Sequence, residues 1–208
     1  MTTVLVIRSS ILGEASASNQ LVYSALSNLQ VANPAIRIVE RDLGTDPVPH
    51  LDADAAIALK SDPINSVQEK ARALSDRLID EVKNADILLL GAPMYNFGIP
   101  SGLKSWFDYI LRAGITFRYS EAGPEGLLSG KRAIVVLTRG GFYSEGPASV
   151  MDAQEPHLRA LLNFIGISDV TFVRAEKLAF GPEHREAAMA KALAEIVAEL
   201  PPALATAA

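Results

Sequence analysis

Ile87-Leu88-Leu89-Leu90-Gly91-Ala92-Pro93-Met94-Tyr95-Asn96-Phe97-Gly98-Ile99-Pro100 decides how this chain is read. The run Ile87–Leu90 is continuously apolar rather than alternating, the pattern of a strand covered on both faces. It stops at a proline, an aromatic-rich loop follows, and a second proline opens a helix. In an open α/β sheet the carboxyl end of a strand is where ligands bind. Tyr95 and Phe97 can lie against something flat, and Asn96 with the loop amides can hydrogen-bond its edge.

Working outward, four more apolar runs stand out: Val4–Ile7, Ile36–Val39, Ala133–Leu137 and Val170–Val173. Most read as strands buried on both faces. Helical patterns lie between them at 19–29, 67–82, 103–111 and 158–165. An Ala-rich helix follows at 185–200 and stops at Pro201-Pro202. The alternation β-α-β-α-β-α-β-α-β predicts right-handed crossovers and a parallel sheet. The simplest arrangement is α/β and doubly wound. It is a flavodoxin-like five-stranded parallel sheet of order 2-1-3-4-5, with helices on both faces. Residues 1–208 read as a single domain. Two insertions interrupt the pattern. Leu43–Ser66 carries three prolines and a short helix near Ala53–Lys60. Ile115–Leu128 alternates like a small hairpin around Thr116-Phe117-Arg118-Tyr119-Ser120.

Composition narrows the function. A formal net charge of −5 and the lack of any basic block argue against a nucleic-acid surface, whose affinity comes from clustered Lys and Arg. There is no cysteine, which removes disulfides and thiolate chemistry and fits a reducing compartment. The start Met1-Thr2-Thr3-Val4 lacks the regions of a signal peptide, and no apolar run approaches the roughly 20 residues of a membrane span. The expected location is cytoplasmic. His50, His157 and His184 show no metal-ligand spacing, so no metal site is expected.

Two further loops join the first. After the first strand, Arg8-Ser9-Ser10 leads to a helix start at Ser16-Ala17-Ser18-Asn19. A helix N-terminus offers unpaired amides and a positive dipole end to a phosphate, although Ser16 can equally be a simple cap. Strand four ends in Thr138-Arg139-Gly140-Gly141-Phe142-Tyr143, where paired glycines admit close approach of a ligand or form an ordinary turn. No Gly-x-Gly-x-x-Gly or Gly-Lys-Ser/Thr occurs, which excludes the Rossmann and P-loop readings. In the 2-1-3-4-5 order these three loops rim one crevice at the switch point. That is where such sheets hold FMN.

These segments, together with Arg112-Ala113-Gly114-Ile115-Thr116-Phe117-Arg118-Tyr119 and Gly123-Pro124-Glu125-Gly126-Leu127, resemble the FMN-dependent NADH-azoreductase family. Its members are also described as NAD(P)H:quinone oxidoreductases. The resemblance runs from about Val4 to Pro182. It implies an FMN-dependent enzyme that takes hydride from NADH or NADPH and passes two electrons to quinones or azo compounds in a ping-pong cycle. The flavin, and no side-chain catalytic residue, carries the chemistry. It also implies a homodimer with each active site near the subunit interface. By matching positions, Ser10, Ser16, Ala17 and Ser18 hold the phosphate end. Met94, Tyr95, Asn96 and Phe97, with Thr138, Arg139, Gly140 and Gly141, contact the ring. Phe117, Tyr119 and Phe142 are candidates to line the substrate pocket. Gly98-Ile99-Pro100 departs from the polar residue many members carry after Asn-Phe.

Plainer roles fit other residues. Trp106, Phe107 and Tyr109 lie on a helix and read as core or dimer packing. Glu121 and Glu125 read as water-facing turn carboxylates. An alternative function is a flavodoxin-like electron carrier, against which the two insertions argue. A flavin-free hydrolase lacks any Ser/His/Asp set.

Overall fold

The computed structural model describes residues 1–200. Five parallel strands form the central sheet: β1 (Thr3–Arg8), β2 (Arg37–Asp42), β3 (Ile87–Pro93), β6 (Arg132–Thr138) and β7 (Asp169–Ala175). Their order is β2-β1-β3-β6-β7, the expected 2-1-3-4-5. β3 is buried along its whole length, as its unbroken apolar run requires. β2 differs from the buried-strand expectation. As the edge strand it is only partly covered, and its sequence Arg37-Ile38-Val39-Glu40-Arg41-Asp42 is charged accordingly.

Helices α1 (Ala17–Ala32) and α6 (Pro182–Glu199) cover one face, while α3 (Ser66–Lys83), α4 (Ser101–Ile110) and α5 (Glu155–Phe164) cover the other. Two apolar cores result. Val4, Val6, Leu89, Ile134 and Val136 pack under α1 and α6, and Leu5, Ile7, Leu88, Leu90 and Val135 pack under α3, α4 and α5. Successive residues of one strand alternate between these cores, the period-2 consequence of the pleat. Trp106, Phe107 and Tyr109 are all buried in the second core, as expected of packing residues. The expected helix stop at Pro201-Pro202 lies outside the described residues; α6 itself ends at Glu199.

Both insertions are ordered. The first contains α2 (Ala53–Ala58), capped by Asp52 and packed on α3, and buries Leu43 and Val48. The second forms the antiparallel hairpin β4 (Phe117–Ser120) and β5 (Gly123–Gly126), closed on its exposed face by an Arg118–Glu125 ion pair at 2.8 Å. Its base docks on the turn after α5: the Leu128 amide donates to Ile165 O at 2.9 Å, and Gly126 lies against Gly166 too closely for any side chain. That turn leads into the amino end of β7, so the hairpin sits at the end of the sheet opposite the carboxyl-terminal loops.

Candidate functional site

Parallel pairing sets the site. β1 and β3 run in register to Arg8 and Gly91, and β3 and β6 to Pro93 and Thr138, so all three loops leave the sheet side by side. The loops are also bonded to one another. Ser9 Oγ donates to Gly91 O at 2.7 Å. The Tyr95 hydroxyl lies 3.0 Å from Ser10 Oγ and accepts from the Ile11 amide at 3.3 Å. The Met94 amide donates to Thr138 O at 2.8 Å.

The first wall is the start of α1. Ser16 is its N-cap, accepting from the Asn19 amide at 3.3 Å, with Ser18 Oγ 3.0 Å from Ser16 Oγ. The capping role and the anion-site role therefore coexist, because a cap satisfies one donor and leaves others. The Ala17 and Ser18 amides have no intrahelical partner. No acidic side chain occupies the first turn, so the positive end of the dipole is unopposed. Asn19 ties the loop to the helix, its Nδ2 donating to Gly13 O at 3.0 Å, while its buried Oδ1 has no partner among the described residues. Gly44 is a support that sequence reasoning missed: a Cβ there would stand 2.2 Å from Ser10 O. Its signal was a glycine in a proline-rich link, which tells nothing of what the backbone meets.

The second wall is the turn Tyr95–Gly98. Tyr95 and Gly98 exchange both backbone hydrogen bonds at 3.1 Å, while Asn96 and Phe97 lie at φ 48° and 71°. This has the hydrogen bonding and φ signs of a two-residue type I′ turn. Asn tolerates the left-handed region, but Phe does not do so readily, and such strain costs of order 1–3 kcal/mol per residue. The Asn96 and Phe97 amides have no acceptor among the described residues.

The third wall is Gly140–Ser144. The Gly140 and Gly141 carbonyls accept from the Ala179 and Lys177 amides at 3.0 and 2.8 Å, and their own amides have no acceptor among the described residues. A Cβ at Gly141 would lie 2.8 Å from the Tyr143 ring, so a larger residue there displaces that ring or the loop. Phe142 lies beneath the Lys177 ammonium, 4.2 Å from its ring centroid.

Three expected site residues are placed differently. The guanidinium of Arg139 does not face the crevice. It is fully buried, donating to Gln154 Oε1, Asp152 Oδ2 and Glu176 Oε1 at 2.9, 2.8 and 3.0 Å. A buried charge needs such partners, and carboxylates behind the loop supply them. Phe117 is packed on Phe164 with ring centroids 4.5 Å apart, and Tyr119 is 74% exposed on the hairpin. Both stand at the far end of the sheet, so neither lines this chain's own crevice. The reason is α4, which carries the chain from the carboxyl to the amino ends of the strands before the hairpin begins.

Two carboxylates here are held below their ordinary range. Burial alone would raise Glu176, but bonds from Ser144, the Tyr143 amide and Arg139 outweigh it. Burial likewise opposes ionisation of Glu155, and Arg174 and Arg159 outweigh that. A cavity of about 950 Å³ adjoins the Gly140–Ser144 loop, lined by Phe142, Tyr143, Glu155, Arg174, Glu176 and Lys191 among others. Within it Glu155 pairs with Arg159 and Arg174.

The fold and the three-loop crevice define a flavodoxin-like protein, and residues 2–200 match the family model described as a flavodoxin-like fold. The chain belongs to the family of FMN-dependent NADH:quinone oxidoreductases and azoreductases. It is 52% identical over 196 residues to the FMN-dependent NADH:quinone oxidoreductase of Hyphomonas neptunium, covering 94% of both chains. It is 50% identical over 194 residues to the FMN-dependent NADH:quinone oxidoreductase 3 of Pseudomonas aeruginosa, covering 92% of this chain and 90% of that one. Among solved structures, it superposes on an FMN-dependent NADH-azoreductase from Bacillus anthracis in complex with FMN. The TM-score is 0.87 at 25% identity, over 97% of this chain and 100% of that one.

Proposed function

We propose that the crevice holds FMN and that the protein uses it to reduce quinones and azo compounds with NADH. One observation carries this assignment: three pairs of unpartnered backbone amides, at Ala17-Ser18, Asn96-Phe97 and Gly140-Gly141, rim one crevice. The pair at the helix start fits a phosphate, with Ser10, Ser16 and Ser18 supplying hydroxyls. The other two pairs fit the polar edge of a planar ring, with Met94, Tyr95, Phe97, Thr138 and Phe142 beside it. When bound, FMN supplies the hydride and two-electron chemistry, and the protein supplies binding, orientation and electrostatics.

The chain's own contribution is fixed donors. Amides held by a type I′ turn and by a clamped Gly-Gly segment need no reorganisation when negative charge develops at the ring edge. A single open crevice serves donor and acceptor in turn, which gives ping-pong kinetics. The names of the relatives support NADH as the donor. We infer a homodimer in which a second copy presents its hairpin, with the exposed Tyr119, to this crevice. The absence of cysteine and the lack, among the described residues, of a helix long and apolar enough to cross a membrane are compatible with a cytoplasmic enzyme.

The test is direct. Purified protein should be yellow or bind added FMN stoichiometrically, bleach anaerobically with NADH, and reoxidise with one equivalent of a quinone. Protein that takes up no FMN overturns the assignment. Protein that binds FMN but is not bleached by NADH is an electron carrier instead.

A further inference from the structure

Glu176 stands at the end of β7, outside the three loops, and its contacts are concentrated on one of them. Its Oε1 accepts from the Tyr143 amide at 2.9 Å and from the Ser144 amide at 3.1 Å. Its Oε2 accepts from Ser144 Oγ at 2.5 Å. Arg139 Nη1 also donates to Oε1 at 3.0 Å. The carboxylate is thus the anchor of a loop that has no secondary structure of its own.

Arg139 links that anchor to the opposite wall. Asp152 accepts from Arg139 through Oδ2, and its Oδ1 accepts from the Gln154 amide at 2.9 Å. Gln154 accepts from Arg139 and donates through Nε2 to Ala92 O, at the end of β3, at 2.8 Å. Between them, the Ala153 amide donates to Phe97 O at 3.0 Å. One network, buried at Arg139 and Gln154, therefore grips Gly140–Ser144 on one side and Tyr95–Gly98 on the other.

We propose that Glu176 is a positioning residue for the ring-binding half of the site, acting through Arg139, Asp152 and Gln154 to fix the separation of the two walls. The proposal rests on the FMN assignment above. It gives Arg139 a definite part too: its charge lies behind the loop, ties the network together and balances the two carboxylates. Fixing two walls before a flat ligand arrives removes loop ordering from the cost of binding.

The experiment compares Glu176→Ala, Glu176→Asp and Glu176→Gln with wild type. FMN affinity is measured by quenching of flavin fluorescence, alongside the visible circular dichroism of the bound flavin and the thermal midpoint. Glu176→Gln keeps an acceptor for both loop amides and should bind within threefold of wild type. Glu176→Asp keeps the charge beside Arg139 but withdraws it from the loop, and should bind FMN about fivefold more weakly with altered flavin dichroism. Glu176→Ala should lose about tenfold or more. If Glu176→Ala does not fold, Glu176→Asp decides the matter. A folded Ala or Asp variant that binds FMN within twofold of wild type, with unchanged flavin dichroism, overturns the proposal even if its melting point falls. Wild-type protein that binds no FMN would instead sink the functional assignment beneath it.

Discussion

Asn96 and Phe97 occupy consecutive left-handed positions, and the two residue types answer to that differently. Asn pays little there, so Asn96→Ala removes both a tolerated conformation and a polar side chain beside the proposed ring site. The expected backbone cost is about 1–2 kcal/mol. FMN affinity should fall about fivefold, the equivalent of one net hydrogen bond of about 1 kcal/mol. Trp106 provides the contrast. It is fully buried in the core under α4 with its Nε1 unpartnered. Trp106→Phe trades lost packing against removal of an orphaned donor. It should cost no more than about 2 kcal/mol in thermal unfolding and leave FMN affinity unchanged. Titration of both variants with FMN checks the pair, and equal weakening would count against the placement of the loop. The sequence identified Asn96 and Phe97 by type and location. It did not contain their φ angles, which go with the turn closed by Tyr95 and Gly98.

At the scale of elements, the helix start and the Gly-Gly loop make separable predictions. Ser16 caps α1, so Ser16→Ala should destabilise the protein by about 1 kcal/mol and also weaken FMN retention. A mere cap would show only the first effect. Gly141→Ala places a methyl 2.8 Å from the Tyr143 ring. The Tyr143 ring or the loop must then shift, and FMN affinity should drop about tenfold, or about 1.4 kcal/mol. The double variant Gly141→Ala/Tyr143→Ala removes the clash and should recover most of that loss. No recovery in the double variant would rule out the ring contact as the reason for glycine. The hairpin is the element whose place the sequence left open. Its strand alternation was legible in Phe117-Arg118-Tyr119, but not the end of the sheet to which α4 delivers it.

For the whole molecule, the paired carboxylates behind the site tie stability to pH. Glu155 and Glu176 are held below their ordinary range in the folded protein. The unfolded chain therefore binds protons first as pH falls. Their stabilisation is complete above the ordinary glutamate value of about 4.3 and is lost as pH drops through their lower folded values. Thermal midpoints should begin to fall below about 6.5, because burial holds the His157 imidazole below its ordinary value, and fall more steeply below about 4 as the two carboxylates protonate. Glu155→Gln should start lower at neutral pH, because Arg174 and Arg159 lose their partner, and should decline less in acid. An acid profile identical in shape to wild type would show that Glu155 does not contribute.

The sequence by itself determined the strand and helix order, the parallel sheet, and the three loops that bear the crevice. These are local properties: apolar runs, helical periodicity, prolines, glycines and caps depend on near neighbours in the chain. It also supplied the resemblance that named FMN. Tertiary structure decided which way side chains point once elements pack. Arg139 turned inward because Asp152, Gln154 and Glu176, 13 to 37 residues away, converge behind it. Phe117 and Tyr119 stand outside this chain's own crevice because a whole helix separates them from it. Glu176 was invisible as a site residue because its partners, Tyr143 and Ser144, meet it only when β6 and β7 pair. Contacts across such distances depend on the register of the sheet, and no local pattern encodes them.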